Sequence, residues 1–241
     1  MTRPVLLAFD TATERMSIAL SVRGSVTSHE GQAGAKASAA LVPAIMDLLR
    51  DAGVALSDLD AIAFGRGPGA FTGVRTACSV AQGLAFGADK PVLPVDTLLT
   101  VAEDAREGDA PQRIWVANDA RMDEIYAAHY AFEDGRWSTL VAPMLTRPGA
   151  LSERWREDAP HAVAGSALAA FGERLETHAA RLAPHATPRA RAMLPLAATL
   201  WDAGGAVDAA LALPLYVRDK VAQTTEEREA ARHGAAPEAV R

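Results

Sequence analysis

Apolar and polar positions change period several times along this chain. Val5–Phe9 is an unbroken apolar run closed by Asp10, and Met16–Val22 alternates large apolar with small or polar residues. A period of two marks half-buried strands, and a short continuous run marks a strand buried on both faces. Strands are predicted over 4–9, 16–22, 25–29 and 60–65. Apolar residues then recur every three or four positions over 38–52 and 71–86, which predicts helices. Pro91–Val95 reads as a further short strand, with a helix from Thr97. Three strands followed by helix, strand and helix is an α/β pattern with a mixed sheet.

Residues 106–113 are polar and broken by Gly108 and Pro111, so they mark a boundary between two lobes. A second strand set follows at Ile114–Ala117 and Ile125–Tyr130. A turn at Glu133-Asp134-Gly135 and a return strand over Arg136–Val141 complete it. The order repeats the first lobe hairpin for hairpin, which suits an internal duplication. Helices are expected at 166–175 and 189–203, and a strand at Leu213–Val217. On this reading lobe I spans 1–100 and is rejoined by 189–221, lobe II spans 101–188, and 222–241 is a flexible tail.

The helix at 38–52 has an apolar face wider than one contact needs. Leu41, Val42, Ile45, Met46, Leu48 and Leu49 fall within an arc of about 160°, against the roughly 100° of an ordinary core stripe. Either the helix is sandwiched inside the lobe, or its spare face meets another chain. Pro43 removes an internal hydrogen bond unless the helix starts near residue 40 or kinks there. The next helix carries small residues (Ala77, Cys78, Ala81, Gly83) and a polar side of Arg75, Ser79 and Gln82 that includes Phe86. Such a stripe suits a solvated face, or an interface with a polar rim.

Composition narrows the classes. The 241 residues are 49% hydrophobic and only 5% aromatic, enough for an aliphatic core in one large or two small domains. The net charge is −6 and neither half is basic, against a chain that binds tRNA strongly by itself. The single cysteine, Cys78, excludes an intrachain disulfide. The first apolar run is too short for a signal peptide, and no run is long enough to span a membrane. The expected location is the cytoplasm.

Two turns carry candidate chemistry. Residues 65–75 read Gly-Arg-Gly-Pro-Gly-Ala-Phe-Thr-Gly-Val-Arg, between a strand and a helix. Glycines there let the backbone turn tightly, and free N–H groups at a helix start suit a phosphate. A tight turn that binds nothing is the competing reading. The loop is neither a P-loop nor G-x-G-x-x-G. Asp10-Thr11-Ala12-Thr13, in the first hairpin turn, offers a carboxylate and two hydroxyls that either hold a phosphate or Mg²⁺ or cap the turn.

Together these segments resemble the TsaB (YeaZ) family. The resemblance rests on Phe9–Thr13, Gly65–Arg75, Asp119–Tyr126 and Pro214–Arg218, and spans about residues 4–220. It implies an actin-like, Hsp70-like fold of two lobes, the second degenerate. It also implies a non-catalytic accessory role in forming threonylcarbamoyladenosine at position 37 of tRNAs that read ANN codons. The implied partners are a catalytic TsaD-like paralogue and a TsaE-like ATPase. tRNA would be met only within that complex, and the chain alone would form a homodimer. TsaD holds its metal with an H-x-x-x-H pair, whereas the matching stretch here is Lys36–Ala40, without histidine. None of the six histidines lies three to five residues from another, so no metal site is expected.

An actin-fold ATPase or small-molecule kinase is the rival. It would need a phosphate turn in each lobe and an adenosine loop, and the second turn here lacks a glycine-rich counterpart. No G-x-S-x-G occurs for a serine hydrolase. No cofactor is therefore required and no catalytic residue is assigned. A weak ATP or ADP site is expected at Asp10, Thr11, Thr13, Gly67, Gly69, Thr72 and Gly73. The expected partner interface is Leu41, Ile45, Met46, Leu48 and Leu49 with Arg75, Ser79, Gln82 and Phe86.

Overall fold

The computed structural model describes residues 3–32 and 37–218. The expected tail at 222–241 and Lys36 of the Lys36–Ala40 stretch lie outside the described residues. Lobe I begins with β1 (Leu6–Asp10), β2 (Arg15–Val22) and β3 (Ser25–Gln32), followed by α1 (Ala37–Asp51), β4 (Ala61–Gly65), α2 (Phe71–Ala88) and β5 (Val92–Val95). Its sheet order is β3-β2-β1-β4-β5, with β1–β3 antiparallel and β1, β4 and β5 parallel. All five residues of β1 are buried, as befits a central strand covered on both faces.

A helix α3 (Thr97–Ala105) leads into β6 (Gln112–Asp119), β7 (Ile125–Glu133), β8 (Arg136–Thr146), α4 (Pro148–Glu157), β9 (Ala162–Ala164), α5 (Ala167–Phe171), β10 (Arg181–Ala183) and α6 (Ala190–Asp202). The second sheet runs β8-β7-β6-β9-β10, the first order repeated. The two halves therefore share one succession, three antiparallel strands followed by helix, strand, helix, strand, helix. The third helix of each half crosses over. Leu98, Val101 and Ala102 of α3 pack on Ile114 and Val116 of the second sheet. Ala190, Met193 and Ala197 of α6 pack on Leu6, Ala8 and Ala63 of the first. Small side chains on that face of the first sheet let α6 approach closely. Two duplicated lobes joined by exchanged helices form the actin-like α/β fold.

The structure corrects several expectations. Leu41, Ile45 and Leu49 are 0–1% exposed and belong to the lobe I core with Phe9, Ile18 and Phe64. They are not available to a partner. The wide arc of α1 arises because that helix packs on β2 and β3 and also on α2. Leu48 is half-buried against the same core. Helix α1 runs through Pro43 without ending. Leu213–Val217 is no strand. It is an irregular strap whose Leu215 N–H donates to the Arg66 carbonyl at 2.7 Å. The helix expected over 166–175 stops at Phe171, where Gly172 takes φ +52 and a 3-10 turn follows. Helix α4 and strands β9 and β10 were not expected.

Ile45 gives a direct check of the corrected role of α1. Truncating a fully buried isoleucine leaves a cavity and costs about 2–5 kcal/mol. Ile45→Ala is expected to lower the unfolding free energy by that amount in urea and to leave the mass by light scattering unchanged. A change in assembly with no loss of stability would return the residue to an interface.

Candidate functional site

The sequence pattern at the end of β1 forces Asp10 inward. Its neighbours alternate into the two cores, and Asp10 itself is 1% exposed. One carboxylate oxygen accepts from the Ala12 N–H at 2.7 Å, and the other accepts from the Thr97 hydroxyl at 2.8 Å. Thr97 Oγ1 also accepts from the Gly67 N–H at 3.1 Å, and the Thr97 N–H donates to the Gly67 carbonyl at 2.9 Å. Asp10 thus ties the first hairpin turn to the start of α3 and, through Thr97, to the glycine loop. A side chain at Gly65 would collide with the carboxylate.

The glycine loop lies directly against the Asp10–Thr13 turn. The Ala70 N–H donates to the Ala12 carbonyl at 2.7 Å, and the Thr11 hydroxyl donates to the Gly73 carbonyl at 2.7 Å. A Cβ on Gly73 would strike the Thr11 carbonyl, and one on Gly69 would strike Ala12. The motif is spaced by this close approach of two backbones. Of the expected nucleotide residues, Asp10, Thr11 and Gly67 are buried, and Gly69 and Gly73 are half-buried at the contact. Thr13 is half-exposed, with its hydroxyl taken by the Arg15 N–H at 3.2 Å, and Thr72 is exposed.

Lobe II repeats the first turn in altered form. Asp119 ends β6 as Asp10 ends β1, and it accepts from the Arg121 N–H at 2.8 Å in the same two-residue turn. Arg121, Met122 and Asp123 all adopt left-handed φ of 56–61°. Between the lobes lies a cleft of about 1270 Å³, bordered by Thr11–Arg15, Pro68–Val74, Asn118–Met122, Tyr126, Ser166 and Leu215–Arg218. Two of its three arginines are engaged with carboxylates. Arg121 pairs with Glu14 and Asp119, and Arg218 pairs with Glu124 at 2.7 Å. Among the described residues no three His, Cys, Asp or Glu side chains are grouped to hold a metal ion.

The remaining expected residues lie on α2. Phe86 is 87% exposed, and Met46 on the neighbouring α1 is 45% exposed. Ser79 is exposed, and Gly83 and Gly87 have open space where side chains would be. Gln82 is turned inward instead, donating to the Ala212 carbonyl at 3.1 Å. Arg75 stacks on Phe71, 3.8 Å from the ring centre, and donates to the Tyr216 hydroxyl at 2.8 Å. Phe71, Arg75, Thr76, Ser79 and Val80 border a shallow groove of about 390 Å³. Tyr216 joins this cluster from the strap. Its Pro-Leu-Tyr-Val-Arg motif was legible in the sequence, but its contacts were not.

Burial pushes the Asp10 carboxyl up to about 6 from its ordinary 3.8, although the bonds from Ala12 and Thr97 favour the charged form. A raised folded-state value means that the stability contributed by neutral Asp10 is full below 3.8 and is lost as pH rises through about 6. A shift of about two units corresponds to roughly 3 kcal/mol. Asp10→Asn cannot ionise, so the stability of the native protein relative to that variant is expected to fall by up to that amount between about pH 4 and pH 7. Urea unfolding of both proteins across that range reads the difference. Parallel pH curves would place the Asp10 carboxylate in water.

The family profile described as "TsaD: tRNA N6-adenosine threonylcarbamoyltransferase" matches residues 31–226. The Escherichia coli protein named "tRNA threonylcarbamoyladenosine biosynthesis protein TsaB" is 35% identical over 221 residues, covering 90% of this chain and 96% of its own. Its Haemophilus influenzae namesake is 35% identical over 224 residues, covering 90% and 94%. Among solved structures, YeaZ from Pseudomonas aeruginosa superposes with a TM-score of 0.80 at 40% identity, covering 88% of this chain and 99% of that one. A second structure, described as an uncharacterized protein with similarity to peptidase YEAZ from Pseudomonas aeruginosa, gives 0.82 at 40% identity, covering 89% and 100%. The same strand–turn–glycine-loop geometry thus sits in a chain that matches these relatives nearly end to end, and the chain belongs to the TsaB (YeaZ) family.

Proposed function

We propose that this chain is a non-catalytic accessory subunit in the formation of threonylcarbamoyladenosine at position 37 of tRNAs reading ANN codons. It works in the cytoplasm by docking to a catalytic TsaD-like paralogue, with a TsaE-like ATPase as a further partner. The observation that carries this reading is the way lobe I uses its phosphate turn. Asp10 and Thr11 are buried and bonded to the chain's own groups, and the glycine-loop backbone lies against Ala12. The polar groups of an actin-like catalytic centre are spent on holding the lobe together. The cleft between the lobes leaves room for weak ATP or ADP binding at Thr13, Thr72 and the rim of the loop.

Docking is assigned to the exposed face of α2 with Met46 of α1. Ser79, Gly83 and Gly87 allow a partner helix to come close, and Phe86 supplies an apolar anchor with Arg75 at the rim. Without its partner, the same patch pairs with itself about a two-fold axis, giving a homodimer. tRNA is engaged only in the assembled complex, in keeping with the net charge of −6.

Reconstitution tests the proposal. The purified chain alone is expected to leave unmodified tRNA unchanged. Adding it to the TsaD-like and TsaE-like proteins of the same organism is expected to switch modification on. Burying a Phe side chain is worth about 1.5–3 kcal/mol. Phe86→Asp is therefore expected to weaken binding to the TsaD-like protein by at least about tenfold, with circular dichroism unchanged. Turnover by the chain alone would favour the actin-fold enzyme. Undiminished binding by Phe86→Asp would move the docking face elsewhere.

A further inference from the structure

After α6, Val207 bridges Val92 of β5 through two hydrogen bonds of 2.9 Å, and the segment 212–218 then joins neither sheet yet touches both lobes. Its first half is fastened to lobe I. The Ala212 carbonyl accepts from Gln82 Nε2 at 3.1 Å and from the Cys78 thiol at 3.4 Å, both on α2. The Leu215 N–H donates to the Arg66 carbonyl of the glycine loop at 2.7 Å. The Tyr216 hydroxyl accepts from Arg75, and its ring lies 5.8 Å from that of Phe71. Two residues later the chain reaches lobe II. The Arg218 guanidinium donates to the Ala120 carbonyl at 2.9 Å and pairs with Glu124 at 2.7 Å, and it also contacts Met122 Sδ. The Arg218 side chain is only 13% exposed, so water screens this pair far less than a surface one.

The turn that receives Arg218 needs to be held. Three consecutive non-glycine residues, Arg121, Met122 and Asp123, are left-handed, a conformation that L-residues disfavour singly and rarely adopt in series. Such geometry persists where surrounding contacts over-determine it. Within lobe II, the Ala120 N–H donates to the Glu124 carbonyl at 2.9 Å, and Asp123 pairs with Arg174 at 2.7 Å. Arg218 adds a bridge between the two ends of the turn, Ala120 and Glu124, from a strap anchored on the other lobe. The other ion pair across the cleft here, Arg121 with Glu14, is 71% and 82% exposed and contributes little.

We infer that residues 212–218 are an interlobe clasp: Arg218 ties the strained lobe II turn to α2 and the glycine loop of lobe I and thereby fixes the width of the cleft. The strap itself is one wall of that cleft, with Leu215–Arg218 facing Thr11–Arg15 and Asn118–Met122 around it. Exchanged helices α3 and α6 keep the lobes together, and the clasp sets their angle. This explains why the motif at Asp119–Tyr126 and the motif at Pro214–Arg218 are parts of one contact, although Arg218 lies 98 positions after Ala120.

Spin labels on exposed sites of each lobe test the clasp in the full-length chain. Asp51→Cys and Glu153→Cys, in a Cys78→Ser background, place one label on α1 and one on α4. Dipolar spectroscopy of the labelled chain, diluted with excess unlabelled chain so that each homodimer carries one labelled copy, is expected to give one narrow distance. Arg218→Ala is expected to lose that narrow peak to a broad distribution at longer separation, with near-ultraviolet circular dichroism retained. If Arg218→Ala fails to fold, Glu124→Gln, which keeps the size of the side chain and removes its charge, is expected to give the same broadening. An unchanged narrow distance in whichever folded variant is measured overturns the clasp.

Discussion

The contact between the Asp10–Thr13 turn and the glycine loop is the constraint on which the rest of this structure depends. Three backbones meet there: the end of β1, the loop before α2 and the start of α3. They come within hydrogen-bonding distance because Gly65, Gly69 and Gly73 carry no side chain to keep them apart. A buried carboxylate sits at the junction, with both oxygens bonded. Burying an ionisable group is costly unless its bonds are satisfied. Asp10 resolves that conflict by bonding and by holding its proton to higher pH. The turn that resembles a ligand site in sequence is bonded into the fold by the chain's own groups.

That junction fixes the direction of α2, and α2 carries the surface features. Its inner face packs Ala77, Ala81 and Ala85 into the lobe I core. Its outer face presents Ser79, Gly83, Phe86 and Gly87. Its polar edge holds the strap through Gln82 and Arg75. One helix therefore meets the core, the proposed partner and the link to the second lobe. The duplication supplies the rest: α3 and α6 are equivalent helices packed on each other's sheet, so neither lobe is complete alone.

Much of this was legible in the sequence, for identifiable reasons. In lobe I, β1 announces itself by a continuous apolar run and β2 by alternation, and the long helices α1, α2 and α6 by apolar spacing over several turns. Phe86 stood out as an aromatic on a polar face and is exposed. The α1 residues misled because an arc of apolar positions records how much of a helix is covered, not by what. Leu41, Ile45 and Leu49 are covered by the same lobe. Helix α4 was hidden because Leu151 and Trp155 are its only large apolar anchors among Glu153, Arg154, Arg156 and Glu157. Strands β9 and β10 have three residues each, too few to show a period. The glycine motif signalled a close backbone approach, but sequence alone could not say whether the approaching group was a ligand or the chain itself.

Calorimetric titration of ATP with Mg²⁺ into the purified chain addresses that distinction most directly. If the lobe I turn is filled by the glycine loop, a nucleotide can reach only the rim of the cleft. A site open on one side buries little ligand surface. Binding is then expected to be no tighter than about 10 µM, equivalent to about −7 kcal/mol. Sub-micromolar binding that disappears in a folded Asp10→Ala variant would contradict the account, because it would mean that the buried carboxylate and its turn open to hold a phosphate.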